Sequence, residues 1–241
     1  MTNPQHIIAD TRVTLDRLGG ALVGLSDDDL AAPSPLPGWT RGHVLAHIDG
    51  VGNGLARQVE YVAIGDTIEM YDGGQEGRDA AIAAAAGRSA ASHQSALHDV
   101  GARLASAWAT TSDWDAPVRY RFGTVAGVLH AWWRELGIHA VDADIGIDQG
   151  SWGPDLCGHL TRFLAERLPG PATVRFSDTG WSFEHGDPGS AGEPPEVAGR
   201  STDVAAWLAG RVPEVRPTAT AGGGPVDLPP LGPWPPPSAR F

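Results

Sequence analysis

In LPGWTRGHVLAHIDG, residues 36–50, two histidines, His43 and His47, stand four apart. Further along, WWRELGIHAVDADIG sets Glu135 and His139 at the same spacing. Imidazole and carboxylate are ligands that a catalytic zinc takes, with one coordination position left open. Residues four apart share one face of a helix. On a helical wheel His47 falls beside an apolar stripe of Val44, Ile48, Val51, Leu55, Val59 and Val62, and His43 falls further round, toward solvent. Glu135 and His139 share their face with Val128 and Trp132, so both polar side chains are expected to lean inward. A buried glutamate costs several kcal/mol unless its charge is compensated. A divalent cation held by His47, Glu135 and His139 supplies that compensation, and bundle cores build metal sites in this way. The donor set suits zinc best, and iron, nickel and manganese also accept it. The spacing alone leaves a plainer reading open, in which an exposed Glu–His pair decorates a helix and a core histidine donates a hydrogen bond. His93 and His98 are expected at the surface, and His6, His130, His159 and His185 stand in no ligand pattern.

The elements that would carry these residues read as helices. Ile7, Ile8, Leu15, Leu18, Leu22 and Leu25 recur at helical spacing over residues 5–25, and SDDDLAAPSPLPG ends that segment with turn residues. Thr40 is a fitting N-cap for a second helix over 41–64. Residues 65–77 read as a loop. A third, alanine-rich helix is expected from Arg78 to Ala109, and a fourth from Thr124 to Gly146. Four amphipathic helices with moderate connections meet the requirement of a four-helix bundle. After Gly150 proline and glycine become frequent. CGHLTRFLAERLPG reads as one helix, ATVRFSDTGWSFEHG as two strands around a turn, and STDVAAWLAG as a short helix capped by Ser201 or Thr202 and stopped by Gly210. The stretch from Pro225 to Pro237 reads as an extended tail. The expected class is therefore mainly α: a helical bundle over 1–149, followed by a small α+β domain over 150–241.

Composition narrows the chemistry. The chain has 241 residues and a formal net charge of -12, which argues against nucleic acid or an anionic membrane as partner. No apolar run is long enough to span a bilayer. The N-terminus lacks the layout of a signal peptide, so a cytoplasmic location is expected. All 17 basic residues are arginine, which removes lysine Schiff-base catalysis and the Walker-type phosphate loop. The single cysteine, Cys157, excludes an intramolecular disulfide and a cysteine-rich zinc site, and reads as a buried apolar residue. An acidic chain that uses its apolar faces internally is compatible with a monomer.

PGWTRGHVLAHI, MYDGGQEGRDAAI at 70–82, WWRELGIHAVDADIG at 132–146, WLAGR at 207–211 and LPPLGPW at 228–234 together resemble the mycothiol-dependent maleylpyruvate isomerases, within the DinB-like thiol-dependent metalloenzymes. The likeness runs through nearly the whole chain in order. It implies a DinB-like four-helix bundle, a zinc ion on His47, Glu135 and His139, and a low-molecular-weight thiol, mycothiol or a similar one, as co-substrate. It also implies a functional arginine in the C-terminal domain, placed at Arg211 with Arg200 as the alternative. Arg78 is expected to line the thiol or substrate pocket, its alternative role being a helix-start partner of Asp79. Trp132, Tyr71 and Met70 are further expected lining residues. The implied reaction is the conversion of maleylpyruvate to fumarylpyruvate in gentisate breakdown, by thiolate addition, bond rotation and elimination. Two alternatives stand beside it: a thiol S-transferase on the same zinc site, and a non-enzymatic metal- or ligand-binding module.

Overall fold

A computed structural model describes residues 3–187, 189 and 194–235. The chain forms two compact units, one running to Asp148 and the other starting at Gln149. No helix among the described residues is long and apolar enough to cross a membrane.

The first unit is a ring of four long helices with two short ones on its connections. α1 (Pro4–Ala21) is followed by α2 (Asp27–Ala31), α3 (Arg41–Ala63), α4 (Gly74–Ala85), α5 (Ala90–Ala109) and α6 (Val125–Asp142). α3 packs against α5 and α6, and α1 closes the ring by packing against the same two. Five of the six residues of the stripe expected on the second helix, Val44, Ile48, Val51, Leu55 and Val59, are buried on α3, which packs against α5 and α6, and Val62 is half-buried near its end. Each such side chain contributes about 1.5–3 kcal/mol by leaving water.

Capping residues fix where the site-bearing helices begin. Thr40 caps α3, its hydroxyl accepting from the His43 amide at 3.3 Å, and Thr124 caps α6 by accepting from the Gly127 amide at 3.3 Å. His43 completes the first cap: its Nδ1 lies 2.7 Å from the Thr40 hydroxyl, and its ring stacks on Trp39. It is a cap residue, and the spacing with His47 follows from the length of the first two turns.

Several elements differ from expectation. The turn segment after α1 holds a short helix, α2, started by a reciprocal cap between Ser26 and Asp29. The single helix expected from Arg78 to Ala109 is two helices. α4 begins earlier, at Gly74, and the chain breaks at Gly87–Ser89 before Ser89 caps α5. The break is a docking point: a side-chain carbon on Gly42 of α3 would lie 2.1 Å from the Ala86 carbonyl oxygen, so only glycine admits the contact. His93, expected at the surface, is 1% exposed on the inner face of α5, and burial pushes its ionisation below the ordinary histidine value. Its position follows from its own helix: Leu97, Val100 and Leu104, four, seven and eleven residues on, share its buried face.

The second unit is a five-stranded sheet with two helices. α7 (Pro154–Leu164) packs on α8 (Ser201–Leu208), and the strands β1 (Ala172–Phe176), β2 (Ser182–His185), β3 (Glu196–Gly199), β4 (Thr218–Ala221) and β5 (Gly224–Val226) lie in the order β2-β1-β3-β4-β5. β1 and β2 form the expected hairpin around Asp178–Gly180; β1 and β3 run parallel and the remaining pairs antiparallel. The helix expected over 157–170 stops at Leu164 and tightens into a 3-10 turn, and β3, β4 and β5 were not foreseen. α8 starts after Arg200 without a side-chain cap; Ser201 instead donates from its hydroxyl and amide to Asp178. The expected proline-rich tail begins inside β5, and its last two positions lie outside the described residues. Cys157 is wholly buried, as expected, and burial pushes its thiol up to about 12.

The Gly42–Ala86 contact gives a pair of substitutions of opposite sign. Gly42→Ala forces the α4–α5 connection away from α3 and is expected to cost about 1–3 kcal/mol, as overpacking does. Gly50→Ala, where an added methyl meets nothing within 4 Å, is expected to stabilise by roughly 0.5–1 kcal/mol through helix propensity. Urea denaturation of the two variants reads the difference, and equal effects would contradict the packing.

Candidate metal centre

His47 projects from α3 two turns after its cap, and Glu135 and His139 project from α6 toward it. His47 Nε2 lies 3.6 Å from Glu135 Oε2, and His139 Nε2 lies 3.5 Å from the same oxygen. The two imidazoles meet edge to face, ring centres 4.4 Å apart. One potential ligand atom from each of the three residues lies within 4.8 Å of the others, the one such group of three among the described residues. Three ligands at zinc distances of 2.0–2.1 Å and tetrahedral angles stand about 3.3 Å from one another. The two measured separations are close to that span before any ligand has moved.

The surroundings bias the cluster further. Trp39 packs edge-on against His47, ring centres 5.5 Å apart, and shields it. Burial pushes the ionisation of His47 down to about 4, against the opposing pull of Glu135. Burial would push the Glu135 carboxyl up, but the imidazoles of His139 and His47 beside it hold it well below the ordinary value. For His139 burial acts downward and is outweighed by hydrogen bonds to Asp142 and Glu135, so its ionisation is raised.

Asp142 is the residue that the spacing argument missed. Its Oδ2 accepts from His139 Nδ1 at 2.8 Å, and it is 1% exposed. That bond fixes the tautomer and leaves the Nε2 lone pair facing Glu135 and His47, the arrangement found behind metal-bound histidines. The signal was present as a carboxylate three residues after His139, on the same helical face. Arg134, also unforeseen, is 4% exposed beside the cluster and its charge favours the ionised Glu135.

His47 borders a cleft of about 660 Å³ that runs along α3 under Tyr71 and α4. Arg78, Tyr71 and Met70 line it, whereas Trp132 lines a separate groove between α1 and α5. Arg78 makes two contacts here: Nη1 donates to Asp79 at 2.6 Å and Nη2 lies 3.2 Å from His47 Nδ1. Burial pushes the Tyr71 phenol up to about 12, so it stays a neutral donor.

In the second unit Arg211 follows Gly210, which ends α8 with φ of 71°. Its Nη1 donates to the Ala209 carbonyl at 2.6 Å and its guanidinium lies 5.7 Å from the centre of the Trp234 ring. Arg167 lies 5.5 Å from the same ring. Arg200 is engaged by two carboxylates, Asp203 at 2.7 Å and Glu214 at 2.8 Å, which raise its ionisation.

The donor set fits a zinc ion, and the fit predicts two measurable properties. Asp142→Asn is expected to weaken zinc binding roughly 10- to 100-fold, as loss of an outer partner does, measured against a chromophoric chelator. His139 carries its proton to higher pH than an ordinary histidine, and His47 is neutral above about 4. Near the ordinary histidine pKa, therefore, zinc uptake is expected to release protons from His139 and not from His47, fewer than two in all, and affinity rises with pH as His139 deprotonates. Calorimetry in buffers of different ionisation enthalpy gives the count, and release of two protons, or a count that does not fall as pH rises, contradicts the assignment.

Residues 12–144 match the family model for the mycothiol maleylpyruvate isomerase N-terminal domain. The fold as a whole is similar to the crystal structure of a mycothiol-dependent maleylpyruvate isomerase, with a TM-score of 0.78 and 21% identity, covering 95% of this chain and 97% of that one. A histidine-to-alanine mutant described under the same name matches with the same values. No curated protein matches the sequence.

Proposed function

Because the chain belongs to the mycothiol maleylpyruvate isomerase family, we propose that it is a zinc- and thiol-dependent enzyme that isomerises maleylpyruvate to fumarylpyruvate. The observation that carries the reading is the His47–Glu135–His139 cluster, with the His139 tautomer set by Asp142 so that three ligand atoms face one point.

The reaction must make a carbon–carbon double bond rotate. A thiolate adding to one alkene carbon leaves a single bond and shifts the electron pair onto the conjugated carbonyl as an enolate. The single bond turns, the electron pair returns, and the thiolate leaves from the trans alkene. Nothing is oxidised or reduced, and the thiol is recovered. The nucleophile has to be the thiolate, because the thiol attacks poorly. Cys157 is unfit for this, being wholly buried with its thiol pushed up to about 12, so the thiol comes from outside the chain. A zinc ion on His47, Glu135 and His139 supplies positive charge that favours the thiolate form of a bound thiol near neutral pH.

The chain's own residues account for the remaining needs. Asp142 holds the His139 ring in orientation. Arg78 lines the cleft beside His47, and its planar donors match a substrate carboxylate. Arg211, assigned by the family resemblance, has the same chemistry, and we assign it a carboxylate-holding role in the C-terminal unit. Tyr71 offers a neutral hydroxyl to the cleft.

With zinc-loaded protein and mycothiol, maleylpyruvate absorbance is expected to fall. The loss should require both metal and thiol and vanish in His47→Ala. Mass spectrometry of the thiol separates the alternatives: complete recovery of free thiol supports isomerisation, and a stable thiol–substrate adduct supports the S-transferase. Protein that carries zinc yet leaves maleylpyruvate unchanged with every thiol tried would count against the enzyme reading.

A further inference from the structure

The guanidinium of Arg78 is shared among a surface carboxylate, the Tyr71 hydroxyl and a metal ligand. Nη1 donates to Asp79, whose side chain is 57% exposed, and Nη2 lies 3.2 Å from His47 Nδ1. A guanidinium has donors and no acceptor, so Nδ1 must supply the lone pair in that contact. A neutral imidazole carries one N–H, which is then on Nε2. Yet Nε2 is the His47 nitrogen that faces Glu135, 3.6 Å away, within the ligand cluster. An ion there needs the Nε2 lone pair, which moves the proton to Nδ1, where it meets another donor.

His139 has the opposite environment. Its Nδ1 is backed by the Asp142 carboxylate, an acceptor, so in the neutral ring the proton sits on Nδ1 and the lone pair on Nε2. An acceptor behind the ligand is the common arrangement at metal-bound histidines. Of the two imidazoles, one is preset to bind metal and the other is preset against it. The difference lies in one side chain, Arg78.

We propose that Arg78 is a latch on the metal centre: it holds His47 with its proton on Nε2 while the ion is absent, is displaced from Nδ1 when the ion binds, and then presents its freed edge to a carboxylate ligand in the cleft. The proposal rests on the reading of the cluster as a metal site. The neighbouring cleft arginines are already engaged, Arg57 by Asp72 at 2.7 Å, Arg88 by Asp49 at 2.9 Å and Arg103 by both oxygens of Glu60 at 2.7 Å. Arg78 alone among these four spends a donor on a metal ligand, so metal binding releases that donor and leaves the other three pairs as they are. A carboxylate fits because it takes two parallel bonds from one guanidinium. Coupling is reciprocal: a carboxylate that keeps Arg78 away from His47 must tighten the metal by the factor by which the metal tightens the carboxylate.

Histidine side-chain 15N NMR reads the latch directly. Zinc-free protein is expected to show His47 protonated on Nε2, and zinc-loaded protein on Nδ1; a proton on Nδ1 in the zinc-free protein overturns the proposal. Zinc affinity by chelator competition gives a second readout. Arg78→Met is expected to bind zinc roughly tenfold tighter than the parent chain, within the range seen for outer partners of metal-bound histidines. Arg88→Met, which removes a cleft charge that does not touch His47, is expected to leave affinity unchanged, and Arg78→Gln should follow Arg78→Met if the methionine variant folds poorly. Succinate, a dicarboxylate that cannot isomerise, should tighten zinc in the parent chain and have no effect in Arg78→Met. Unchanged or weaker zinc binding in both Arg78 variants refutes the latch, and tightening without a succinate response refutes its carboxylate half. Failure of the parent chain to bind zinc at all would instead remove the metal-site reading beneath it.

Discussion

A carboxylate wedged between two imidazoles inside a helical bundle needs opposite charge or protons near it, and much of the first unit can be understood from that need. Glu135 and His139 share one face of α6, and His47 faces them from α3, so the cluster exists only if both helices begin at the right residue and lie in the right rotation. Threonine caps fix the starts. Thr40 precedes His47 by seven residues and Thr124 precedes Glu135 by eleven, near two and three helical turns. The packing of α3 on α6, with Val44, Ile48, Leu55, Val128, Trp132 and Leu136 all buried, then fixes the rotation. The polar cluster costs stability on its own, and the apolar seam on either side offsets that cost.

What could be read from the residues, and what could not, divides by the range of the forces involved. α3 and α6 were legible because a long apolar stripe repeats at helical spacing between clear caps, and the three ligands followed from the same wheel. The break between α4 and α5 was hidden by AAIAAAAGRSAASH, where strong helix propensity masks a stop made elsewhere: the Ala86 carbonyl docks on Gly42 of a different helix. His93 stands four residues before Leu97 on the buried stripe of α5, so its burial follows from apolar spacing although a lone histidine reads as a surface residue. β3 and β4 are four residues each and β5 three, without a strong alternation, and they exist by pairing with one another and with β1. Asp142 stands three residues after His139, a spacing that puts its carboxylate on the same helical face. The Arg78–His47 contact joins residues 31 positions apart and has no local signature at all.

The resemblance and the physical reading met on the same residues by different routes. Periodicity selected His47, Glu135 and His139 because their faces turned inward, and the family segments selected them because of where they fall in PGWTRGHVLAHI and WWRELGIHAVDADIG. Neither route reached the tautomers. Those emerged only from the partners behind each ring, an acid for one and a guanidinium for the other.

The placement of Cys157 has an outcome for life in a cell rich in reactive oxygen. With its sulfur wholly enclosed between Trp152 and the start of α8, and bound to its proton far above neutral pH, the chain has no sulfhydryl that peroxide or a mixed disulfide can reach. On the proposed function the reacting sulfur belongs to a small thiol, which can be oxidised and replaced from the soluble pool while Cys157 stays reduced.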